Sequence, residues 1–350
     1  MKICPARLDP VFSPRPWGTL SLAPYFPEKS ELEEHIGEAW MSGSECVFAD
    51  GPYAGKKLGE AWPVMPREWR GSAVARGDLF PLLVKLIFPE EKLSVQVHPD
   101  DEYAAKHEQA AGGRGKTEMW YAIDAKQGAE VMVGLKEGVT AERFRRAIGE
   151  GTAENCLKSV AVLPGDAIFV PAGTAHTIGP GLVLCEIQEH SDLTYRVYDY
   201  DRRDAQGRAR ELHIEKALEV IRFGEQRGGK VAPARIVRGG TTETYFAACR
   251  YFATEKWEFS QRVAGATSPE RFELLIFLTG AGRMGWGNES VAYFPAQVWI
   301  LPAALGAYEL RPESPTSLLR AYVPGDLNRL ARTLEQRGIS KEACERLVYR

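Results

Sequence analysis

Gly165-Asp-Ala-Ile-Phe-Val-Pro171-Ala-Gly173-Thr-Ala-His176 reads as a strand, a tight Pro/Gly turn and a histidine entering the next strand. Upstream stand Gln96-Val-His98 and Lys116-Thr-Glu118. Together the three segments offer two imidazoles, a carboxylate and an amide to one divalent metal. The reading implies a β-barrel, a metal, and a site at the barrel mouth.

The rest of the chain fits that picture. A length of 350 residues suits two domains, or one large domain with appendages. Hydrophobic residues make up 44% and charged residues 26%, as in a soluble globular protein. A net charge of -3 provides no basic field, so no nucleic-acid partner is implied. Six scattered cysteines without a CxxC pair argue for reduced thiols and a cytoplasmic protein, not a disulfide framework or a thiolate zinc site. The first residues carry no signal-peptide run, and no stretch reaches the roughly 20 apolar residues of a membrane helix.

Short strands divided by Gly and Pro turns point to a mainly β fold of antiparallel barrels or sandwiches. Thr19–Pro27 and Trp40–Ala49 read as strands, and the β signal strengthens from Phe80. Leu93-Ser-Val-Gln-Val-His98 alternates as a half-buried strand does. Helices are expected over Asp100–Ala111, Thr140–Gly149 with Thr140 as cap, Glu211–Phe223 and the tail Asp326–Leu347. The Gly-rich, charged stretch Gly224–Val231 marks a boundary, giving residues 1–225 and 226–350. In the second block Val298-Trp-Ile-Leu-Pro302-Ala-Ala-Leu-Gly306 echoes the Pro171 region without its histidine, so a second barrel without metal is expected. No GxGxxG or Gly-x4-Gly-Lys-Ser/Thr loop supports a nucleotide fold.

Alternation on a strand points Ser94, Gln96 and His98 one way, and Lys116, Glu118 and Trp120 one way. A lone strand histidine is more often a hydrogen-bonded core residue than a ligand. Two of the six histidines fall in these segments, and His98, His176 and Glu118 read as ligands. Gln96 is a ligand or a neighbour that orients one. His35, His107, His190 and His213 read as uninvolved. Trp17, Trp40 and Trp120 read as core, with Trp120 also able to face a ligand beside Glu118.

At these residues the chain resembles the cupin superfamily: Gly165, Pro171, Gly173 and His176 match its G-x5-P-x-G-x2-H motif, although Pro180 replaces the later asparagine. The resemblance sharpens toward the type I mannose-6-phosphate isomerases in their short bacterial form. It is carried by Pro16-Trp17-Gly18, Ile36-Gly-Glu-Ala-Trp40, Phe80-Pro-Leu-Leu-Val-Lys85, Leu93-Ser-Val-Gln-Val-His-Pro99 and Gly115-Lys-Thr-Glu-Met-Trp-Tyr121. Thr194-Tyr-Arg-Val-Tyr-Asp-Tyr-Asp-Arg202 and Arg210-Glu-Leu-His213 continue it. Long-form members carry a histidine where this chain has Gly115, so no mechanism using that histidine as base operates here.

The resemblance implies two cupin-type (jelly-roll) β-barrels with a few helices, and interconversion of mannose 6-phosphate and fructose 6-phosphate. It implies one zinc ion held by Gln96, His98, Glu118 and His176. It places catalytic roles on Arg196 and Lys116, and phosphate contacts on Lys85, Ser94 and Arg202. Such an isomerisation moves a proton between C1 and C2 through a cis-enediol, and a Lewis acid or fixed cation stabilises the oxygen where charge builds. Either Lys116, its pKa lowered by the nearby metal, or a metal-bound water serves as base. Arg196 and Arg202 share a face if Tyr195–Arg202 is a strand, which suits a sugar phosphate. The ordinary alternative for these cations is surface or ion-pair duty, and for Ser94 a hydroxyl bonded to backbone. A small sugar phosphate is the expected partner, with the protein a monomer or weak homo-oligomer. Two other readings compete: a non-catalytic cupin that senses a phosphosugar, and a metal-dependent oxygenase. The intact Lys116 and Arg196 disfavour the first, and a cationic wall has no use in the second.

Overall fold

The computed structural model describes residues 2–74, 77, 79–203 and 206–350. Its strands assemble into four sheets whose ladders are antiparallel, arranged as two face-to-face pairs. A seven-stranded sheet runs in the order Gly229–Lys230, Ala167–Val170, Glu118–Ala125, Leu182–Glu189, Leu82–Ile87, Ile36–Trp40, Val11–Thr19. Facing it is a five-stranded sheet ordered Tyr195–Tyr198, Val95–Val97, His176–Ile178, Glu130–Leu135, Leu157–Ala161. The C-terminal half pairs an eight-stranded sheet with a four-stranded one. Sheet membership crosses residue 225 in both directions: Ala6–Asp9 pairs with Val298–Leu301, while Gly229–Lys230 pairs with Ala167–Val170.

Burial explains the sequence pattern. Every residue of Leu82–Ile87 is buried, because its sheet is covered on both sides. Val84 and Leu86, with Met119, Tyr121, Cys185 and Ile187, face a core shared with Phe246, Leu274, Ile276, Leu319 and Ala321 of the eight-stranded sheet. Opposite parity sends Lys85, Glu118, Trp120 and Glu186 to the other face, between the seven- and five-stranded sheets. That interior is apolar at one end, with Trp17, Trp120, Val131, Val133 and Ile178, and charged at the other. The outer face of the five-stranded sheet (Val95, Val97, Tyr195, Val197) is covered by the helices Ala141–Gly149 and Ile214–Val220. Thr140 caps the first, its hydroxyl accepting from the Arg143 amide at 3.2 Å.

Some expected elements differ. The strand expected over Thr19–Pro27 lies earlier, at Val11–Thr19; beyond it the chain doubles back, with the Leu22 amide donating to the Lys29 carbonyl. Pro14 and Pro16 are accommodated because this is an edge strand. The Trp40–Ala49 strand is cut by a turn in which the Cys46 amide donates to Gly43, leaving Ile36–Trp40 and Val47–Phe48 in different sheets. The Glu211–Phe223 helix is shorter, Ile214–Val220, because the His213 amide is committed to the Arg196 carbonyl. The tail is two helices, Leu327–Gln336 and Lys341–Leu347, separated at Gly338 with φ +101°.

Inside the C-terminal sheet pair Arg320 is clamped between Glu255 and Glu273, its Nε donating to Glu273 at 2.8 Å. Both carboxylates are within 1% of full burial. Removing the guanidinium strands two charges in a low-dielectric interior. Arg320→Leu is therefore expected to cost about 3–5 kcal/mol of stability, checked by denaturant melts; an unchanged midpoint contradicts this account.

Candidate metal centre and active site

The five-stranded sheet builds one wall. Val95–Val97 is flanked by its neighbours so that Gln96 lies opposite both His176 and Arg196. These three side chains share the inner face, while the valines and Tyr195 point outward. His98 follows directly. Its carbonyl accepts from the Gly173 amide at 2.8 Å, so the Pro-x-Gly turn ties the two histidine segments together. Gly173 has φ +82°, and a Cβ there would meet Arg222 and the Val220 carbonyl under 3.0 Å, which is why that position is glycine. The opposite wall contributes Glu118.

His98, Glu118 and His176 are all within 1% of full burial, with ligand atoms within 4.8 Å of one another. This is the sole such group of His, Cys, Asp and Glu among the described residues. His98 Nδ1 faces the Leu193 carbonyl and His176 Nδ1 the Thr174 carbonyl, both at 2.8 Å. Those acceptors place the ring proton on Nδ1 and leave each Nε2 lone pair for the site. Burial drives both imidazoles neutral, reinforced by Lys116; His176 is lowered to about 4. Neutral imidazole is the form that binds metal.

The donor set fits a zinc-type ion. His98 Nε2 and Glu118 Oε1 are buried with no hydrogen-bond partner. The Lys116 ammonium is 2.9 Å from Glu118 Oε2, but outside hydrogen-bond alignment. Orphaned buried acceptors are costly unless a cation completes them. Gln96 Nε2 lies 3.2 Å from His176 Nε2, and Ser94 Oγ 3.4 Å from Gln96 Oε1. Turning the amide over would aim its oxygen at the same point as the Nε2 lone pair, an arrangement a cation relieves. Gln96→Ala is expected to weaken zinc affinity about 10–100-fold without abolishing it, as read by titration against a chromogenic chelator. Unchanged affinity would remove Gln96 from the site.

A ladder of charge leads away from the cluster, buried at Lys116, Glu186 and Lys85 and opening to solvent at Asp192 and Arg15. Lys116 reaches Glu118 and, at 3.3 Å, Glu186. Glu186 is 4.0 Å from Lys85, which binds Asp192 at 2.6 Å and lies 3.9 Å from Glu38; Glu38 holds Arg15 at 2.8 Å. Burial alone would discharge Lys116, but Glu118 and Glu186 outweigh it and hold the ammonium above its ordinary value. Lys85 is likewise raised, Asp192 and Glu38 overcoming burial. Burial raises Glu186, with Lys116 opposing.

Arg196 donates to the Glu211 carbonyl at 2.9 Å, and its Nε is buried without a partner. Burial lowers its pKa, helped by Arg210 and opposed by Asp199. Arg202 does not extend the Arg196 face. The strand ends at Tyr198, and Tyr200 and Asp201 take φ of +55° and +52°. Arg202 instead binds Asp199 at 2.6 Å and the Lys92 carbonyl at 2.6 Å, with Arg210 on the same carboxylate. Trp120 is fully buried, packed edge-on to His176 at 5.4 Å, and is core.

Sequence reasoning missed Glu38, Asp192 and Arg15 in this network and named Glu186 only as an available ion-pair partner for its cations. These residues carry no local motif; the signal for them was a lysine in an apolar strand, which demands counter-charges, and of these Asp192 and Arg15 remain partly open to solvent. His213, read as uninvolved, backs Arg196: its Nδ1 accepts from the Arg196 amide at 3.3 Å and its own amide donates to the Arg196 carbonyl at 2.7 Å.

The family model "Phosphomannose isomerase type I, catalytic domain" matches residues 6–145. The chain is 37% identical over 310 residues to mannose-6-phosphate isomerase ManA of Bacillus subtilis, covering 87% of this chain and 95% of the relative. A crystal structure of the mannose 6-phosphate isomerase from Bacillus subtilis superposes with a TM-score of 0.82 at 32% identity, covering 91% of this chain and 99% of that one. A mannose 6-phosphate isomerase solved with zinc bound shares the fold at TM-score 0.72 and 16% identity, covering 91% of this chain and 99% of that one.

Proposed function

The chain belongs to the type I phosphomannose isomerases, and from that premise we propose how its residues divide the work of interconverting mannose 6-phosphate and fructose 6-phosphate. The observation that carries the reading is the buried His98–Glu118–His176 cluster with ligand atoms left unpaired. Gln96, His98, Glu118 and His176 would hold one zinc ion, which when bound supplies Lewis-acid polarisation of the sugar oxygens at C1 and C2.

The side chains do the rest. Lys116, 2.9 Å from Glu118 and 3.3 Å from Glu186, is placed to move a proton at the C1–C2 end, as donor to the enediolate oxygen or, with a metal ion acidifying it, as the base that takes the C–H proton. Arg196 offers an unpaired Nε to the other developing charge. Lys85, Ser94 and Arg202 are assigned to the phosphate end. For Lys85 the support is its ammonium inside the sheet pair. Ser94 is buried with its hydroxyl on Gln96, and Arg202 would have to share itself with Asp199. Residues 1–225 carry the chemistry in this reading, and 226–350 form the unit without metal. No helix among the described residues is long and apolar enough to cross a membrane. We take the enzyme to be cytoplasmic and a monomer or weak homo-oligomer.

The test is zinc titration into chelator-treated protein by calorimetry, together with an NMR assay of the product. The reading predicts one zinc per chain and fructose 6-phosphate as product. One bound zinc without turnover is what the sensor alternative predicts.

A further inference from the structure

The main chain around Lys116 is gripped on both sides. The Gly115 amide donates to Asp101 Oδ1 at 3.0 Å and the Thr117 amide to Glu189 Oε1 at 2.6 Å. The Lys116 amide itself donates to the Pro99 carbonyl at 3.0 Å. Gly115 is pressed against the start of the helix Asp101–His107: a Cβ there would lie 2.5 Å from the Asp100 carbonyl carbon. No histidine could occupy that position without moving the helix.

The two carboxyl groups are a coupled pair. Burial, then Asp101, pushes Glu189 up to about 9, while the Gly115 amide, Tyr251 and Arg250 outweigh burial and lower Asp101. At neutral pH the pair therefore carries one proton, resident on Glu189. Their remaining partners come from a turn of the C-terminal half. Tyr251 donates its hydroxyl to Asp101 Oδ2 at 2.8 Å, and Arg250 reaches the same oxygen at 2.6 Å. Cys249, buried in the same turn, is the other titratable group that senses Glu189.

That turn is itself anchored. The Cys249 amide donates to Phe252, whose side chain is fully buried in the core between the halves. Phe252 packs near Phe169, which stacks on Tyr349 at 3.9 Å, and the Tyr349 amide donates to Ala248. Tyr251 is thus a rigidly based donor, whereas the Arg250 side chain is 69% exposed and adds little.

We propose that Tyr251 is a positioning residue for Lys116: the C-terminal half holds the Asp101–Glu189 pair, and the pair holds the main chain on either side of the lysine. This rests on the reading that Lys116 works in the active site. It gives the second half of the molecule a direct part in the chemistry of the first.

The experiment uses the zinc-loaded full-length enzyme. Tyr251→Phe is expected to lower kcat about tenfold, with KM within about twofold and zinc content unchanged, because a small displacement of a reacting group costs rate rather than binding. Glu189→Ala should show a loss of the same kind. Glu189→Gln should restore near wild-type kcat, since an amide, like the protonated carboxyl, both donates and accepts. Where Lys116 is already methionine, Tyr251→Phe should cost nothing further. A wild-type kcat in Tyr251→Phe, an equal loss in the Lys116→Met background, or a Glu189→Gln enzyme as slow as Glu189→Ala overturns the proposal. A Lys116→Met enzyme with wild-type kcat removes instead the reading beneath it.

Discussion

A His176→Ala protein is expected to purify without zinc and to turn over mannose 6-phosphate at least about a thousandfold more slowly than wild type, the scale of losing several kcal/mol of Lewis-acid stabilisation. The expectation follows from how the ligands are held. His176 sits on the strand beside Gln96, its Nδ1 bound to the Thr174 carbonyl, so its Nε2 points into the cluster, 3.2 Å from Gln96 Nε2 and 3.4 Å from Glu118 Oε1. Without the imidazole, only His98 and Glu118 remain as strong donors, and Gln96 loses its partner. Zinc content by elemental analysis and turnover by coupled assay check it together. Full zinc content with full turnover would mean that His176 is only a buried core histidine beside Trp120.

Arg196→Ala separates chemistry from metal binding. The guanidinium donates to the Glu211 carbonyl rather than to a residue of the ligand cluster, and only the strand beneath it adjoins Gln96. Zinc content should therefore equal that of wild type. If Arg196 stabilises the charge that develops on the enediolate, kcat falls about 10²–10³-fold, the range seen when a preorganised donor to such an oxygen is removed. Arg196→Lys should recover little, because a point charge on a flexible stem does not reproduce the fixed Nε donor. A normal kcat with a raised KM would reassign Arg196 to substrate binding.

How much of this was legible beforehand differs by residue. His98, Glu118 and His176 could be read because each sits beside a local signal: strand alternation at 94–98 and 116–120, and the Pro-x-Gly turn at 171–173. Their convergence is a property of sheet order, since His176 is brought to Gln96 by pairing across 80 positions. Arg202 was misplaced onto the Arg196 face because alternation was carried past Tyr198, and nothing in the local sequence marks the left-handed turn at Tyr200 and Asp201. Lys116 stands beside Glu118 in the sequence, but its other flank could not be read there. Its counter-charge Glu186 lies 70 positions away, and only the packed sheet shows that the lysine is flanked by carboxylates. The second half was legible as a strand-rich block. Its turn at 249–252, which reaches Asp101, was not, because an Arg-Tyr pair in a turn carries no signal of what it touches.

The central claim is that one buried metal cluster drives the isomerisation. The most direct measurement is a coupled assay of the purified protein with mannose 6-phosphate, before chelation, after it, and after zinc is returned, read as fructose 6-phosphate formed. The account predicts that turnover disappears with the metal and returns as zinc approaches one equivalent per chain. A fully active chelated enzyme, proven metal-free, would contradict it, as would a protein that holds one zinc and forms no fructose 6-phosphate.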